Sequence, residues 1–347
     1  NLITVATFHS FAKGIIENNY LKLGYKSNPT IINKDDLVYL FLSRINTFNY
    51  FKSRRFNRFP VKAIKSLLSI HDQFCQELFN DKELIEIKEH CLDNILDSSN
   101  EDDESYRQIY DSVNSFDEFR RIKRESLFIE YEDIIYDFWK LINIDLELLH
   151  SLQNKYKFII IDEFQDNNFA FSEIVNKIAS HKNITVVGDD DQSIYSFRGA
   201  NSYNMHSFHS LYSKNPNYKK IELIKNYRSN QKILDVANSV IVNNQNRMEK
   251  EFLVSAFDNS KDSLVELRIG DFQSQIASIV DSLKFFLNNN KNKDIAVLCR
   301  THSDCAIISE VLNKNGILHN YSNDKLFEQK IIKDIVALLN IIVSSKY

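Results

Sequence analysis

The 347-residue sequence predicts an α/β protein in which a long helical insertion interrupts a parallel sheet. Short apolar runs without polar alternation are typical of parallel strands, which helices cover on both faces. Such runs occur at 158–161, 184–187 and 295–299, with a weaker one at 265–269. The region 30–127, by contrast, has apolar residues at helical spacing and no convincing strand. The low content of 6 glycines and 3 prolines also favours helices over tight turns.

The helices around these strands follow from the same periodicity. Residues 128–142 carry apolar side chains at helical spacing and predict a helix before the first strand. The second strand is followed by a polar and aromatic loop and then by a helix over 231–242. Near the C-terminus we expect a helix over 305–316 that ends at Gly316, and another over 329–343.

Charge and cysteine content limit the classes of function. The net charge of −4 gives no bulk argument for nucleic-acid binding. The run 51–62 is nevertheless basic, without acidic residues and interleaved with aromatics. It is either a solvated helix face or a contact for phosphates and bases. The four cysteines lack zinc-type spacing and predict reduced thiols in a reducing compartment.

The sequence shows no signal peptide and no apolar run of the roughly 18 residues that a membrane span needs. We therefore expect a cytoplasmic protein that does not enter a membrane. The chain begins at Asn1, without Met and inside an apolar segment, which indicates part of a longer protein.

Two carboxylates follow the first predicted strand in the stretch FIIIDEFQD (158–166). Asp162 and Glu163 would lie at the carboxyl end of a strand, where open α/β sheets bind their ligands. One carboxylate could hold a hydrated Mg²⁺ on nucleotide phosphates while its neighbour polarises the attacking water. Taken alone, these letters are equally typical of a turn or a helix start.

The stretch VVGDDDQSIYSFRGA (186–200) follows the second strand. The amide of Gln192 could sense a γ-phosphate or its water. Tyr195 and Phe197 would share one face of an extended backbone, as a base-stacking pair does, and Arg198 could reach a backbone phosphate. The two aromatics could instead fill a core edge.

A third stretch, IKNYRSN (224–230), contains a Tyr-Arg pair. The ring of Tyr227 could stack on a base, and the guanidinium of Arg228 could neutralise charge developing on a γ-phosphate. As an isolated dipeptide it carries no functional signal and is far more typical of a protein surface.

Together, these stretches resemble the motifs of the UvrD/Rep-like superfamily 1 DNA helicases. The pattern G-D-x-D-Q-S-I-Y-x-[WF]-R-G-A is highly specific, and the motifs occur in the family's order along the chain. They are TFHSFA (7–12), IIIDEFQD (159–166), VVGDDDQSIYSFRGA (186–200), NYRS (226–229) and AVLCRTHSD (296–304). Residues 314–342 also look like a segment of the family's second motor domain.

The resemblance implies a RecA-like motor domain of the P-loop NTPase type with an all-helical insertion, plus the first part of a second RecA-like domain. Residues 1–8 and 157–223 would form the first motor domain, 9–156 the insertion, and 224–347 the partial second domain. ATP and Mg²⁺ would be the cofactors.

The family's functional residues can be carried over where the motifs match. Asp162 would bind Mg²⁺, Glu163 would be the catalytic base, and Gln192 would couple the γ-phosphate to DNA. Tyr227 would stack on adenine, and Arg228 would act as an arginine finger. The residues expected on the DNA path are Phe8, His9, Tyr195, Phe197, Arg198, Arg300 and Thr301.

This sequence departs from the family pattern at two positions. Phe197 stands where the family commonly has Trp, and it would stack with less area. His302 stands where Asn is usual, so no role is assigned to it. Among the aspartates of the second stretch, Asp189 could support the Mg²⁺ shell and Asp191 could orient Gln192, whereas Asp190 has no assigned role.

A P-loop, G-x-x-x-x-G-K-[ST], is absent from these 347 residues, because no glycine has a second glycine five positions later. In the family the P-loop precedes the TFHS motif. We therefore expect the central part of an ATP-dependent 3′→5′ DNA helicase or translocase that does not turn over ATP by itself. Single-stranded DNA and single-strand/duplex junctions would be its partners, with a nucleoid-associated location.

Two other classes of function stay open at this point. A motor-dead DNA-binding scaffold of the same fold would have no reason to keep Asp162, Glu163, Gln192 and Arg228. A metal-dependent nuclease would use Asp162, Glu163 and 189–191 to cut DNA with Mg²⁺ and without nucleotide.

Overall fold

A computed structural model describes residues 3–44, 51–96, 103–194, 204–245, 247–257, 265–289 and 294–321, together with Ile335 and Leu338. The chain divides into two compact units. The first unit contains Asn1–Asn226 and Ala237–Val254, and the second contains Tyr227–Val236 and Ser255–Tyr347. The predicted three-part domain division stays a prediction.

Helices dominate the described residues. In chain order they are α1 (Phe8–Glu17), α2 (Lys34–Ser43), α3 (Arg54–Arg58), α4 (Pro60–Gln76), α5 (Asp81–Leu96), α6 (Asp103–Glu125), α7 (Tyr131–Ile144), α8 (Leu146–Lys155), α9 (Phe169–Ile178), α10 (Asn204–Tyr212), α11 (Gln231–Ile241), α12 (Phe272–Asn289) and α13 (His302–Lys314). The strands are β1 (Thr30–Ile31), β2 (Phe128–Ile129), β3 (Ile159–Ile161), β4 (Ile184–Val186), β5 (Lys225–Asn226) and β6 (Val254–Ser255). No helix of the described residues has the length and apolar character that crossing a membrane requires.

Local sequence sets where several helices begin. The hydroxyl of Thr7 accepts a hydrogen bond from the backbone N–H of Ser10 and caps α1. The side chain of Asn168 does the same for α9 by accepting from the N–H of Phe171 at 3.0 Å. Such caps satisfy backbone donors that a helix leaves without an internal partner.

The expectation of an all-helical insertion is wrong at one place. β1 and β2 form a parallel two-residue ladder, with Thr30 opposite Phe128 and Ile31 opposite Ile129. The two strands are far apart in sequence, and each is too short to show a period of two. Their pairing depends on the packing of the intervening helices, which local periodicity does not report.

The expectation of a parallel sheet is confirmed for the first two of its predicted strands. β3 and β4 are parallel, with Ile159 opposite Ile184 and Ile161 opposite Val186. Ile161 packs with side chains of α9, including Val175.

We expected helices to cover both faces of this sheet, but one face is exposed among the described residues. The side chains of Phe158 and Ile160 are 77% and 76% exposed. Side chains alternate along a strand, and helix α9 covers only the face of Ile159 and Ile161 within the described residues.

The second unit has a small apolar core between two helices. Side chains of α12 and α13 form it, namely Val280, Leu283, Ile308 and Leu312, with Ile317 beyond the end of α13. Gly316 follows that end with φ +71°, a left-handed conformation that glycine adopts without a steric penalty.

The strands predicted at 265–269 and 295–299 are absent from the described residues. A strand requires a hydrogen-bonded neighbour, and neither run has a ladder partner there. Leu267 and Leu298 are highly exposed. The helix predicted over 329–343 lies outside the described residues, apart from Ile335 and Leu338, which are helical.

A buried charge network joins three helices of the first unit. Lys123 of α6 is only 1% exposed, and its ammonium group lies 2.7 Å from Asp133 Oδ1 and 3.1 Å from Glu130 Oε2. His71 of α4 contributes Nε2 at 2.9 Å from both Lys123 Nζ and Asp133 Oδ1. Removal of charges from water is costly, so each member of such a network depends on the others.

The pKa values of this network follow from burial and charge. Burial lowers the pKa of His71 to about 4, and the neighbouring Lys123 acts in the same direction. Burial opposes the ionisation of Lys123, but Asp133 and Glu130 outweigh it and raise the pKa of the lysine. Lys123 is therefore the cation of the network, and His71 is neutral near pH 7.

We expect the substitution Lys123→Met to lower the free energy of unfolding by about 3–5 kcal/mol, because it leaves Asp133 and Glu130 buried without their cation. The matched control is Lys82→Met, whose side chain is exposed and 3.6 Å from Glu86. That control should change stability by less than about 1 kcal/mol. Urea denaturation followed by far-UV circular dichroism measures both, and equal changes would contradict the assigned role of Lys123.

Candidate functional site

The candidate site lies at the carboxyl ends of β3 and β4 in the first unit. Asp162 and Glu163 follow β3 directly, and the loop Gly188–Gln192 follows β4. Backbone hydrogen bonds continue between the two segments beyond the ladder. Val187 donates its N–H to Ile161 O at 2.8 Å, and Phe164 donates to Val187 O at 2.9 Å. The ends of neighbouring parallel strands therefore bring the two sequence stretches together.

Glu163 has an unusual backbone conformation. Its φ of 50° and ψ of 43° lie in the left-handed region, which costs a non-glycine residue roughly 1–3 kcal/mol. A short 3-10 turn over Phe164–Asp166 follows at once. The backbone reverses here, and the exposed side chains of Asp162 and Glu163 lie at the edge of the sheet. Functional sites often contain strained backbone of this kind, and Leu78, Leu127 and Lys182 also have a positive φ outside this site.

Asp162 fits the role of a magnesium ligand by its chemistry. Its carboxylate is exposed, and Oδ1 accepts a hydrogen bond from the N–H of Glu163 at 3.0 Å. Mg²⁺ prefers hard oxygen ligands, keeps several waters and needs only one or two carboxylates from the protein. An exposed carboxylate at the sheet edge meets these requirements, while the assignment of Asp162 to the metal stays a prediction.

Gln192 is held by a different aspartate from the one that we expected. Its Nε2 donates to Asp189 Oδ2 at 2.8 Å. Asp189 Oδ1 also accepts from the backbone N–H of Asp191 at 3.2 Å and caps a short 3-10 turn over Asp190–Gln192. Asp191 points its carboxylate at Arg247 instead. Asp189 therefore orients Gln192, and the expectation for Asp191 is wrong.

Lys250 and Arg247 contact the three consecutive aspartates. Lys250 Nζ lies 2.6 Å from Asp190 Oδ1 and 2.9 Å from Asp191 Oδ2, and it also contacts Asp189. Arg247 makes two parallel bonds to Asp191, of 2.8 and 2.7 Å. These contacts neutralise carboxylates that would otherwise repel one another. The carboxylate of Asp189 also accepts from Lys250, the N–H of Asp191 and Gln192 Nε2, and its support of the Mg²⁺ shell stays a prediction.

The pKa values support this description. Burial disfavours the charged form of Lys250, but its hydrogen bonds to the three aspartates outweigh that effect and raise the pKa of the lysine. Burial likewise acts against the ionised form of Asp191, yet the bonds from Arg247 and Lys250 lower its pKa overall. Asp190, which had no assigned role, binds Lys250 and accepts from the N–H of Met248 at 2.8 Å. All three aspartates therefore have a structural explanation.

Sequence reasoning also missed Gln165, which lies between the two stretches. Its side chain is 2% exposed and contacts both Glu163 and the backbone of Asp189. No periodicity marks this glutamine. Its position within the quoted stretch IIIDEFQD was the only available signal.

The residues predicted near the DNA path in α1 are used in packing. The ring of Phe8 is half-buried and lies 4.3 Å from that of Phe171, centroid to centroid, in an edge-to-face contact. His9 is exposed and lies 5.8 Å from the ring of Tyr131. Their DNA contacts stay a prediction. Tyr195, Phe197 and Arg198 lie outside the described residues.

The remaining predicted residues belong to the second unit. Tyr227, Arg228 and Arg300 are exposed. Thr301 caps α13, because its hydroxyl accepts from the N–H of Asp304 at 3.1 Å and donates to the Asp304 carboxylate at 2.7 Å. The structure thus brings together Asp162, Glu163 and Gln192, which belong to the first unit.

Comparison with known proteins gives matches along nearly the whole chain. The profile of the UvrD/REP helicase N-terminal domain matches residues 1–213, and that of the UvrD-like helicase C-terminal domain matches residues 221–346. The chain is 29% identical over 346 residues to the ATP-dependent DNA helicase PcrA of Staphylococcus aureus, covering 99% of this chain and 44% of that protein. It is 30% identical over 345 residues to PcrA of Bacillus subtilis, covering 98% and 43%. It is 29% identical over 350 residues to the ATP-dependent DNA helicase Rep of Buchnera aphidicola, covering 99% and 47%. The chain spans less than half the length of these relatives.

We expect Lys250→Met to loosen the segment that carries it, because Asp189, Asp190 and Asp191 then lose their shared cation. Loss of charge-assisted bonds of this kind costs about 1–3 kcal/mol. The amide of Met248 is bonded to Asp190. A free-energy loss of that size should accelerate hydrogen exchange at this amide by about 5- to 150-fold. The control Lys219→Met removes an exposed lysine of the same unit. Unchanged exchange at Met248 in the Lys250 variant would show that the cation does not hold this segment.

Proposed function

Since the chain belongs to the UvrD/REP helicase family, we propose that it forms the central part of an ATP-dependent DNA helicase that moves 3′→5′ along single-stranded DNA. The observation that carries the proposal is the convergence of Asp162, Glu163 and Gln192 at the ends of β3 and β4. These three side chains supply a metal ligand, a general base and a neutral amide at one sheet edge. Hydrolysis of a nucleoside triphosphate requires such a set.

The first unit would perform the hydrolytic chemistry. A Mg²⁺ ion held at this edge would supply positive charge for the phosphates of the nucleotide. Asp162 would hold that ion through its exposed carboxylate. Glu163 would accept a proton from the attacking water, and Gln192 would hydrogen-bond the γ-phosphate or that water.

The family resemblance also assigns nucleotide contacts to two residues of the second unit. The exposed ring of Tyr227 would stack on adenine, and the guanidinium of Arg228 would stabilise charge on the transferred phosphoryl group. The phosphates themselves require a P-loop, which these 347 residues do not contain. We therefore assign ATP turnover to the full-length protein.

Single-stranded DNA, alone and at junctions with duplex, would be the second ligand. Tyr195 and Phe197 would stack on bases, and Arg198 would neutralise a backbone phosphate. Arg300, Thr301, Phe8 and His9 would contribute further contacts to the strand. We propose a cytoplasmic, nucleoid-associated location and a role in DNA repair, recombination or replication for this activity.

The contacts of the three aspartates disfavour the nuclease alternative. A metal-dependent nuclease would need carboxylates that are open to a cation, whereas Asp189, Asp190 and Asp191 share Lys250. The motor-dead scaffold keeps the fold without hydrolysis, and measurement of ATP turnover separates it from the helicase.

We expect Glu163→Gln in the full-length protein to lower DNA-stimulated ATP hydrolysis by about 10²–10⁴-fold, because the general base is lost. Glu147→Gln, at an exposed position of α8, is the matched control and should keep the wild-type rate. The 347-residue chain alone should show no turnover. Turnover by this chain that Glu163→Gln abolishes would contradict the need for a P-loop. A wild-type rate in the full-length variant would show that Glu163 is not the general base, and a full-length wild-type protein without turnover would favour the scaffold.

We expect the 347-residue chain to bind single-stranded DNA weakly and with strong salt dependence. Phe197→Ala should weaken binding by about 1–3 kcal/mol through loss of stacking. Arg198→Ala should also reduce the slope of log affinity against log salt concentration by about one. Fluorescence anisotropy of a labelled oligonucleotide at several KCl concentrations measures both. Phe286→Ala and Arg268→Ala are controls at other exposed positions, and equal affinities in all four variants would exclude the stacking assignment.

A further inference from the structure

The buried side chain of Gln165 connects the two parts of the candidate site. It belongs to the 3-10 turn that follows Glu163. Its Nε2 donates to Glu163 Oε2 at 2.7 Å, and its Oε1 accepts from the backbone N–H of Asp189 at 3.0 Å. The Nε2 end of the amide thus binds the carboxylate after β3, and the Oε1 end binds the loop after β4.

An amide suits both partners at this position. The Glu163 carboxylate requires a donor, and the N–H of Asp189 requires an acceptor. A buried polar group that loses its partner costs about 1–3 kcal/mol, so both ends favour one side-chain orientation. An apolar residue of the same size would satisfy neither partner, and a glutamate would place a second carboxylate against Glu163.

The loop approaches this amide so closely that only glycine fits beside it. A Cβ at Gly188 would lie 2.5 Å from Gln165 Oε1 and 3.3 Å from the Gln165 backbone nitrogen. Real Cβ atoms do not approach an oxygen to 2.5 Å, so any side chain here would displace the amide. The φ of Gly188 is not in the left-handed region. Close approach to Gln165 is therefore the reason for glycine.

We propose that Gln165 is a positioning residue that holds the Glu163 carboxylate in place and joins it to the loop Gly188–Gln192. The inference rests on the proposed function, in which Glu163 is the general base. The connection continues to Gln192, because Gln192 donates to the side chain of Asp189. A displacement of the loop that carries Gln192 therefore moves the hydrogen bond that orients Glu163.

The position of Glu163 explains why such support is needed. Its side chain is exposed, and its backbone is held in a left-handed conformation by the surrounding turn. An exposed carboxylate has several rotamers, whereas a general base acts only within hydrogen-bond reach of its water. The hydrogen bond from the buried amide of Gln165 selects one of these rotamers of Glu163. Misplacement of a reacting group by about 1 Å can cost about 10²-fold in rate.

The first experiment measures ATP hydrolysis by the full-length protein with Gln165→Ala. We expect kcat to fall by about 10²-fold with little change in the KM for ATP, because the base is misplaced and the nucleotide contacts are kept. Gln153→Ala is the matched control, since the amide of Gln153 also bonds a backbone group of a distant segment and donates to the carbonyl of Lys177 at 2.8 Å. It should keep the wild-type kcat. A kcat within twofold of wild type for Gln165→Ala would overturn the positioning role.

A second variant, Gln165→Glu, tests the contact with Glu163 while keeping the bond to the loop. It keeps an acceptor for the N–H of Asp189 and places a carboxylate against Glu163. Repulsion between the two carboxylates should displace the Glu163 side chain, so kcat should fall about as far as in Gln165→Ala while the KM for ATP stays near the wild-type value. A wild-type kcat in this variant would overturn the proposed contact.

The third measurement is a double-mutant cycle with Gly188→Ala, which displaces the amide from the side of the loop. Gly188→Ala should lower kcat in the wild-type background and have little further effect in the Gln165→Ala background. If the effects of the two substitutions on kcat multiply in the double variant, the loop is not connected to Glu163 through Gln165. The Gly188 variant also tests the proposal if Gln165→Ala does not fold.

Glu163→Gln separates the two levels of inference. If Glu163→Gln abolishes turnover while the Gln165 and Gly188 variants behave as wild type, the positioning role is wrong and the proposed function stands. If Glu163→Gln retains the wild-type rate, Glu163 is not the general base, and both proposals are overturned.

Discussion

The parallel pairing of β3 and β4 is the constraint on which the candidate site depends. Three ladder positions align the two strands, and two further backbone hydrogen bonds carry the alignment past their ends. Because both strands run in the same direction, the residues after each strand meet at one edge. A carboxylate pair and a polar loop that are separated in sequence thereby become neighbours, and the contacts of the site follow from that proximity.

Once the strand ends are aligned, charge compensation determines the shape of the loop. Three consecutive aspartates would repel one another, and Lys250 and Arg247 bind them from a segment 56 to 61 residues away. The same physical rule operates in the helical part of the first unit, where Lys123 balances Asp133 and Glu130 out of contact with water. In both places the carboxylates are tolerated because a cation and additional hydrogen bonds compensate for the loss of hydration.

The site combines strained backbone with a rigid support. Glu163 occupies the left-handed region, and the neighbouring Gln165 is buried and hydrogen-bonded at both ends of its amide. The side chains of Asp162 and Glu163 are exposed, while the amide that contacts Glu163 lies beneath the surface. This division of roles keeps an exposed carboxylate in one geometry without filling the space that a ligand would need.

The sequence by itself determined the family, the order of the motifs, and the positions of Asp162, Glu163 and Gln192 at strand ends, because short apolar runs followed by polar residues are local signals. Only the tertiary structure decided which groups hold these residues. Lys250, Arg247 and Gln165 have no periodicity that marks them, and their partners are chosen by the alignment of β3 with β4 and by the path of a distant segment. The same reason explains why the β1–β2 ladder was not predicted. It also explains why the strands predicted at 265–269 and 295–299 are absent from the described residues. A strand exists only where another segment supplies its hydrogen bonds, and a pattern within one segment cannot specify that partner.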